Sequence, residues 1–225
     1  MLSGCTGAPA FHPGDAAVVE GQHISLDTVD GLARDLCSLD VDSLNRAGQA
    51  YPMSGLRAIV LQSLVDDVLV QKFARDLGLD VVRLRKTADQ VVDQMEFGEN
   101  GRLRAVAMAW KRRAVFRDLV LYGAGLVRLG NGAPEDAARL QGATAFRLWR
   151  AEAAPVDRDP RFIEVDLDAE SLKPGSGSLS VDLTRLVPVP PAEDDEPGRQ
   201  KYAAYLAKLP ADQRCGTPTA TTGVS

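Results

Sequence analysis

The chain has 225 residues, 45% hydrophobic and 25% charged, with a formal net charge of −5 at pH 7. That length and balance suit a globular protein with one substantial core, or a core plus a tail. The acidic balance argues against nucleic acid as the main partner, and no run approaches the ~18 apolar residues of a membrane-spanning helix. At the start, Leu2-Ser3-Gly4-Cys5 has the pattern of a bacterial lipobox, in which small residues precede a cysteine that is diacylated and becomes the mature N-terminus. A secretory leader needs a charged region and about 7 to 15 apolar residues before such a cysteine. The expectation is a true start upstream of Met1, with residues 1–14 as lipobox and flexible tether; the competing reading is a chance Leu-Ser-Gly-Cys.

Val18 and Val19 run into Glu20-Gly21, and Gln22-His23-Ile24 returns as a second short β-like run, the pattern of a two-residue hairpin. Glu20 stands where Asn commonly precedes the glycine. Ser25 then opens a helix whose apolar positions are Leu26, Val29, Leu32, Ala33 and Leu36, ending before Asp40. After a short loop, Met53 to Leu77 carries Leu56, Val60, Leu64 and Val68 at helical spacing, with Gly78 as a C-terminal stop; this is the expected central core helix. Shorter helices are expected at Val82 to Met95 and Pro134 to Ala151, flanking a long one from Arg102 to Val127. Beyond Asp159-Pro160-Arg161-Phe162, the positions Phe162, Val165 and Leu167, a Gly175/Gly177 turn and the alternating Leu179, Val181, Leu183 read as paired strands. Residues 188–198 are expected to be a Pro-rich acidic linker, 199–216 a docking segment whose helix bears Tyr202, Tyr205, Leu206 and Leu209, and 217–225 a disordered tail.

Because an isolated hairpin is marginal in water, the economical fold is α+β and mainly α: a helical body over residues 15–187 with a small antiparallel sheet joining N- and C-terminal strands. The run Ala-Val-Val-Glu-Gly-Gln-His-Ile-Ser-Leu, the long helices after it and Asp-Pro-Arg-Phe together resemble the N-terminal module of SurA-type periplasmic chaperones, in the form seen in actinobacterial lipoproteins, over roughly residues 14 to 185. The resemblance implies an ATP-independent chaperone or assembly factor outside the cytoplasmic membrane. Relatives of that type often carry a parvulin prolyl isomerase domain between the helices and the last strand. Here only helices and short loops fill that interval.

Catalytic machinery is thin. The histidines are His12 in the N-terminal tail and His23 in the hairpin, so the paired histidines of a parvulin pocket have no candidates. A Cys5-His12-His23 metal site is outweighed by a solvated tail histidine and a strand histidine, so no metal is expected. No phosphate loop appears, since Gly123-Ala-Gly125 falls at a helix end and Gly130-Asn-Gly132 in an interhelix turn. Asp66-Asp67 reads as a solvated helix face and Glu193-Asp194-Asp195-Glu196 as linker, not as tuned carboxylates. The basic runs Arg83-Leu84-Arg85-Lys86 and Lys111-Arg112-Arg113 read as solvated faces too. No catalytic residue, cofactor or enzymatic activity is expected.

Cys5 aside, Cys37 on the inner face of the first helix and Cys215 near the C-terminus can make one bridge in an oxidising compartment; the alternative is two independent buried thiols. Met95, Phe97, Met108, Trp110, Phe116 and Tyr122 gather Met and aromatic side chains in the middle helices. Most should be core, leaving a minority, drawn from Met95, Phe97, Met108, Trp110 and Tyr122, to line a groove for extended polypeptide. The resulting expectation is a non-catalytic, lipid-anchored, extracytoplasmic chaperone-like protein that binds unfolded or secreted polypeptides. A ligand-binding or scaffolding lipoprotein with a dedicated partner is the alternative, and a peptidyl-prolyl isomerase the third reading.

Overall fold

The computed structural model describes residues 12–98, 101–152, 156–159, 161–162 and 195–218. In chain order these form β1 (Asp15–Val19), β2 (Gln22–Ser25), α1 (Leu26–Ala47), β3 (Ala50–Pro52), α2 (Met53–Asp76), α3 (Val81–Asp93), α4 (Gly101–Leu129), α5 (Glu135–Glu152), β4 (Val156–Arg158), α6 (Glu196–Lys208) and β5 (Arg214–Gly216). The class is α+β, mainly α. The chain divides into two compact units, Met1–Ser25 with Ser63–Asp157 and Leu26–Gln62 with Arg158–Ser225, and the boundary falls inside α2.

In the first unit, β1 and β2 form the expected antiparallel hairpin, with Val19 opposite Gln22 and Val18 opposite His23. Both loop residues, Glu20 and Gly21, have positive φ (50° and 72°). That is the twist a two-residue hairpin demands, adopted here by a glutamate where Asn would sit with less strain. β1 is the middle strand of the order β2-β1-β4, and all five of its residues are buried. The sequence from Asp15 to Val19 is accordingly continuous and small rather than alternating. β4, immediately before Asp159, is the late strand that meets the N-terminal one. The strands expected between Phe162 and Leu183 lie outside the described residues, as do 163–194 as a whole.

The helices of this unit follow their sequence signals. α2 ends in a Schellman turn, with Gly78 N–H bonded to the Arg75 carbonyl, Leu79 N–H to the Ala74 carbonyl, and Gly78 at φ 70°. Asp80 caps α3 by accepting from the Arg83 N–H at 2.9 Å. α4 and α5 approach so closely that a methyl on Gly125 would overlap the Ala138 carbonyl, and one on Gly142 the Leu121 carbonyl. Phe73, Phe146 and Trp149 pack edge-on and stacked, with centroids 5.3–5.9 Å apart. The Trp149 Nε1–H donates to the Asp76 carboxylate at 3.2 Å.

Several charged runs expected in solvent are instead packing elements. Asp66 is 4% exposed and lies 3.3 Å from the Arg150 and 3.9 Å from the Arg117 guanidinium. Asp67 takes two hydrogen bonds from Arg85, whose guanidinium sits 3.8 Å over the Phe116 ring. Arg112 on α4 reaches Asp89 and Asp93 on α3. The acidic and basic runs are therefore complementary across helix faces.

In the second unit, α1 continues past Asp40 to Ala47. Asp40 and Asp42 are exposed and Leu44 is buried, so the acids ride the solvent side of an unbroken helix. Gly48 then stops it in the same way as Gly78, with the Gln49 N–H on the Leu44 carbonyl. The interval expected as a loop contains β3, paired antiparallel with β5 through Tyr51 opposite Cys215. Cys37 of α1 and buried Cys215 of β5 are bonded, Cα atoms 5.5 Å apart. The Thr217 N–H donates to the Asn45 side chain at 2.8 Å, adding a second tie between tail and α1.

α6 begins at Glu196, inside the stretch expected to be linker, because Asp195 accepts from the Gly198 N–H and Pro197 occupies the first turn. Its stripe behaves as expected: Leu206 is buried and Tyr202, Tyr205 and Leu209 are half-buried. Burial, reinforced by Tyr205 and Tyr51, pushes the Tyr202 hydroxyl up to about 12. Arg214 donates to the Leu206 and Ala207 carbonyls, completing the C-terminal end of α6.

Two stability outcomes follow. Gly142→Ala should lower unfolding free energy by about 1–3 kcal/mol in urea titrations, because the backbone clash outweighs the up to ~1 kcal/mol of helix propensity that alanine adds. Reducing the Cys37–Cys215 bond should cost about 2–5 kcal/mol, read as a fall in thermal midpoint with dithiothreitol that Cys215→Ser reproduces.

Candidate functional site

Two places in the first unit gather the side chains on which chemistry or binding could rest. The first is the beginning of α4. The pairing of Gly125 with Ala138 and of Gly142 with Leu121 sets an antiparallel register between α4 and α5. Carried along that register, the last residue of α5, Glu152, reaches α4 only as far as about residue 111. The preceding turns of α4 overhang α5. Leu103, Val106 and Trp110 recur at helical spacing on the side that α5 covers further along. No described residue from 101 to 115 is buried, although Leu103, Val106, Met108 and Trp110 are all at least half-shielded. Met95 and Phe97, just beyond α3, are likewise half-buried.

The five candidate residues do not form one face. Met108 and Trp110, two positions apart, project to nearly opposite sides of α4. Tyr122 lies twelve residues, or about 18 Å, further along, where the Arg139 guanidinium sits 5.6 Å from its ring. Phe116 is fully buried and is core. Cys5 lies outside the described residues.

The second place was not anticipated. His12 and His23, expected to be independent, have ring centroids 5.0 Å apart and share Asp15. Two local devices bring them together. Residues 12–15 form a tight turn in which the Asp15 N–H donates to the His12 carbonyl at 3.0 Å, while the His12 N–H donates to Asp15 Oδ2 at 2.8 Å. Pro13 and Gly14 (φ 101°) suit its central positions. Between Asp15 and Ala17 the ladder then carries a bulge: Ala17 faces Ile24 but Asp15 faces Ser25. Regular alternation would point Asp15 away from His23. The extra residue turns it onto the same face, and His23 Nδ1 comes to 2.8 Å from Asp15 Oδ2.

The Asp15 carboxylate is nearly buried, yet its two imidazoles are open to solvent. The hydrogen bond from His23, then the His12 backbone N–H, hold the Asp15 carboxyl below the usual carboxylate range against the opposing effect of burial. Asp159 is lowered in the same direction, chiefly by hydrogen bonds from the Arg161 guanidinium at 2.5–3.0 Å. The His-Pro-Gly-Asp sequence is a turn signal that places His12 beside Asp15; the bulge has no such signal.

The chain matches no family model, no curated protein and no solved structure. Among the described residues, no helix is long and apolar enough to cross a membrane.

A carboxyl whose folded pKa is depressed stabilises the fold above its unfolded pKa of about 3.9, and that contribution disappears as pH falls through the folded value. Asp15→Asn should therefore lower the urea midpoint at pH 6–7. The gap between wild type and variant should close as pH drops below about 4, and a gap that is constant down to about pH 2.5 would refute the charge-dependent role.

Proposed function

We propose that the protein is a lipid-anchored, extracytoplasmic, chaperone-like factor that holds extended or unfolded segments of secreted polypeptides without catalysis. The observation that carries this reading is the overhang of α4. Residues 101–115 of α4 contain no buried position, and they carry Leu103, Val106 and Trp110 along one side with Met108 on another. Half-shielded Met and aromatic side chains are adaptable contacts for varied apolar segments, and shielding a client by covering apolar surface requires binding alone, without nucleotide. The Cys37–Cys215 bond supports the compartment, since such bonds persist outside the reducing cytosol. The Leu2-Ser3-Gly4-Cys5 pattern supports a tether through Cys5.

The lipid-free chain should slow aggregation of several unrelated unfolded clients at stoichiometric excess. Trp110→Ala should weaken client binding roughly tenfold, while shifting unfolding by less than the about 3–5 kcal/mol that truncating a fully buried Trp costs. Failure to protect any of the clients would sink the general-chaperone reading in favour of a lipoprotein with a dedicated partner. In the leader-bearing precursor, Cys5→Ala should move the protein out of the membrane fraction; unchanged fractionation would remove the tether from the reading.

A further inference from the structure

We infer that His12, Asp15 and His23 form a binding site for a divalent transition-metal ion of the zinc or copper(II) class. One nitrogen from each imidazole and one oxygen of Asp15 all lie within 4.8 Å of one another. His23 Nδ1 is 2.8 Å and His12 Nδ1 3.7 Å from Asp15 Oδ2. Ligand atoms held about 2.0–2.1 Å from a tetrahedral zinc lie roughly 3.3 Å apart, so these separations straddle the requirement. The remaining span closes by rotation of the exposed His12 ring, whose side chain is 63% accessible.

The donor set decides the class of ion. Two imidazole nitrogens and one carboxylate oxygen suit zinc, copper(II) or nickel; magnesium and calcium seek oxygen ligands, and copper(I) seeks sulfur. Three protein ligands leave at least one coordination position to water. The site is also supported from behind: Asp15 is oriented by the His12 backbone N–H and fixed in a buried central strand, the kind of second hydrogen bond that aligns a ligating carboxylate. Binding removes the Nδ1 proton that His23 donates to Asp15, by exchange with water, and replaces that contact with one metal bond from each group; the neutral ring then carries its proton on Nε2. The ion would clip the 12–15 turn to the hairpin. This site is separate from the α4 overhang and does not rest on peptide binding.

The test is titration of the metal-free full chain with zinc chloride by calorimetry, alongside His12→Ala, His23→Ala and Cys5→Ser variants. Circular dichroism without metal checks that each variant is folded. The expected result is one zinc per chain with a raised thermal midpoint, affinity falling at least tenfold in each histidine variant and unchanged in Cys5→Ser. With copper(II), the wild-type electron paramagnetic resonance spectrum should show coupling to two imidazole nitrogens, a readout independent of the variants' stability. Absence of binding by wild type, or full affinity in either histidine variant together with a copper spectrum lacking two-imidazole coupling, overturns the site.

Discussion

The backbone-to-backbone approach of α4 and α5 is the constraint on which the first unit depends. Helices normally keep their axes 8–10 Å apart because side chains stand between them; Gly125 and Gly142 remove those side chains at two successive crossings, one on each helix. The register so imposed has two consequences near the C-terminal end of α5. Phe146 and Trp149 come onto Phe73 of α2, building the aromatic part of the core. Three residues past Trp149, at Glu152, α5 ends, leaving the first turns of α4 without that neighbour. A shallower contact could slide, and the overhang would not be a fixed feature. The ion pairs from Arg112 to Asp89 and Asp93 hold α3 along a different side of α4, so the overhang is bounded rather than loose.

The second unit is held differently. Its strands are three residues long, and such a pairing would fray alone. Cys37–Cys215 joins residues 178 apart in sequence, and the chain-entropy model assigns a loop of that length about 5 kcal/mol of stabilisation. The bond also fixes which residues meet: with Cys215 on α1, Tyr51 becomes its strand partner, Gly216 (φ 86°) fits against the Gln49 carbonyl, and Thr217 reaches Asn45. Arg214, on the same strand, turns back to the open carbonyls of α6. One covalent contact therefore organises several weak ones.

Much of this was legible because it is periodic or punctuated. The α2 stripe with Gly78, the Glu20-Gly21 hairpin and the stripe of α6 each rest on a local rule that tertiary structure obeyed; the pairing of Cys37 with Cys215, 178 residues apart, was legible only from the count of cysteines left when Cys5 is set aside. Most of what was not legible depends on a partner distant in sequence. Asp40 is the exception: it read as a helix stop, yet an exposed helical face tolerates it. Asp66 and Arg85 read as solvated, yet opposite charges on neighbouring helices draw them in. β3 and β5 are too short to show alternation, and Gly125 and Gly142 resemble weak helix positions until the facing backbone is known. The candidate binding residues share a type rather than a face: Met95 and Phe97 lie between α3 and α4, and helical spacing sets Met108 and Trp110 on nearly opposite sides of α4.

Two of the buried carboxylates, Asp15 and Asp66, show how burial can be read chemically. Removing a carboxylate from water is expensive unless its charge is met. Asp66 is met by two guanidiniums, which carry their charge at every physiological pH, and its role is accounted for by packing. Asp15 sits in the central strand of its sheet opposite two solvent-open imidazoles. A strand that needed only to be buried would do better with a fifth small apolar residue in place of Asp15, and a bulge would be unnecessary. The turn, the bulge and the reciprocal His12–Asp15 bonds all serve to aim one acidic group at two exposed nitrogens. That concentration of local devices on a single carboxylate is what distinguishes a binding constellation from a structural ion pair.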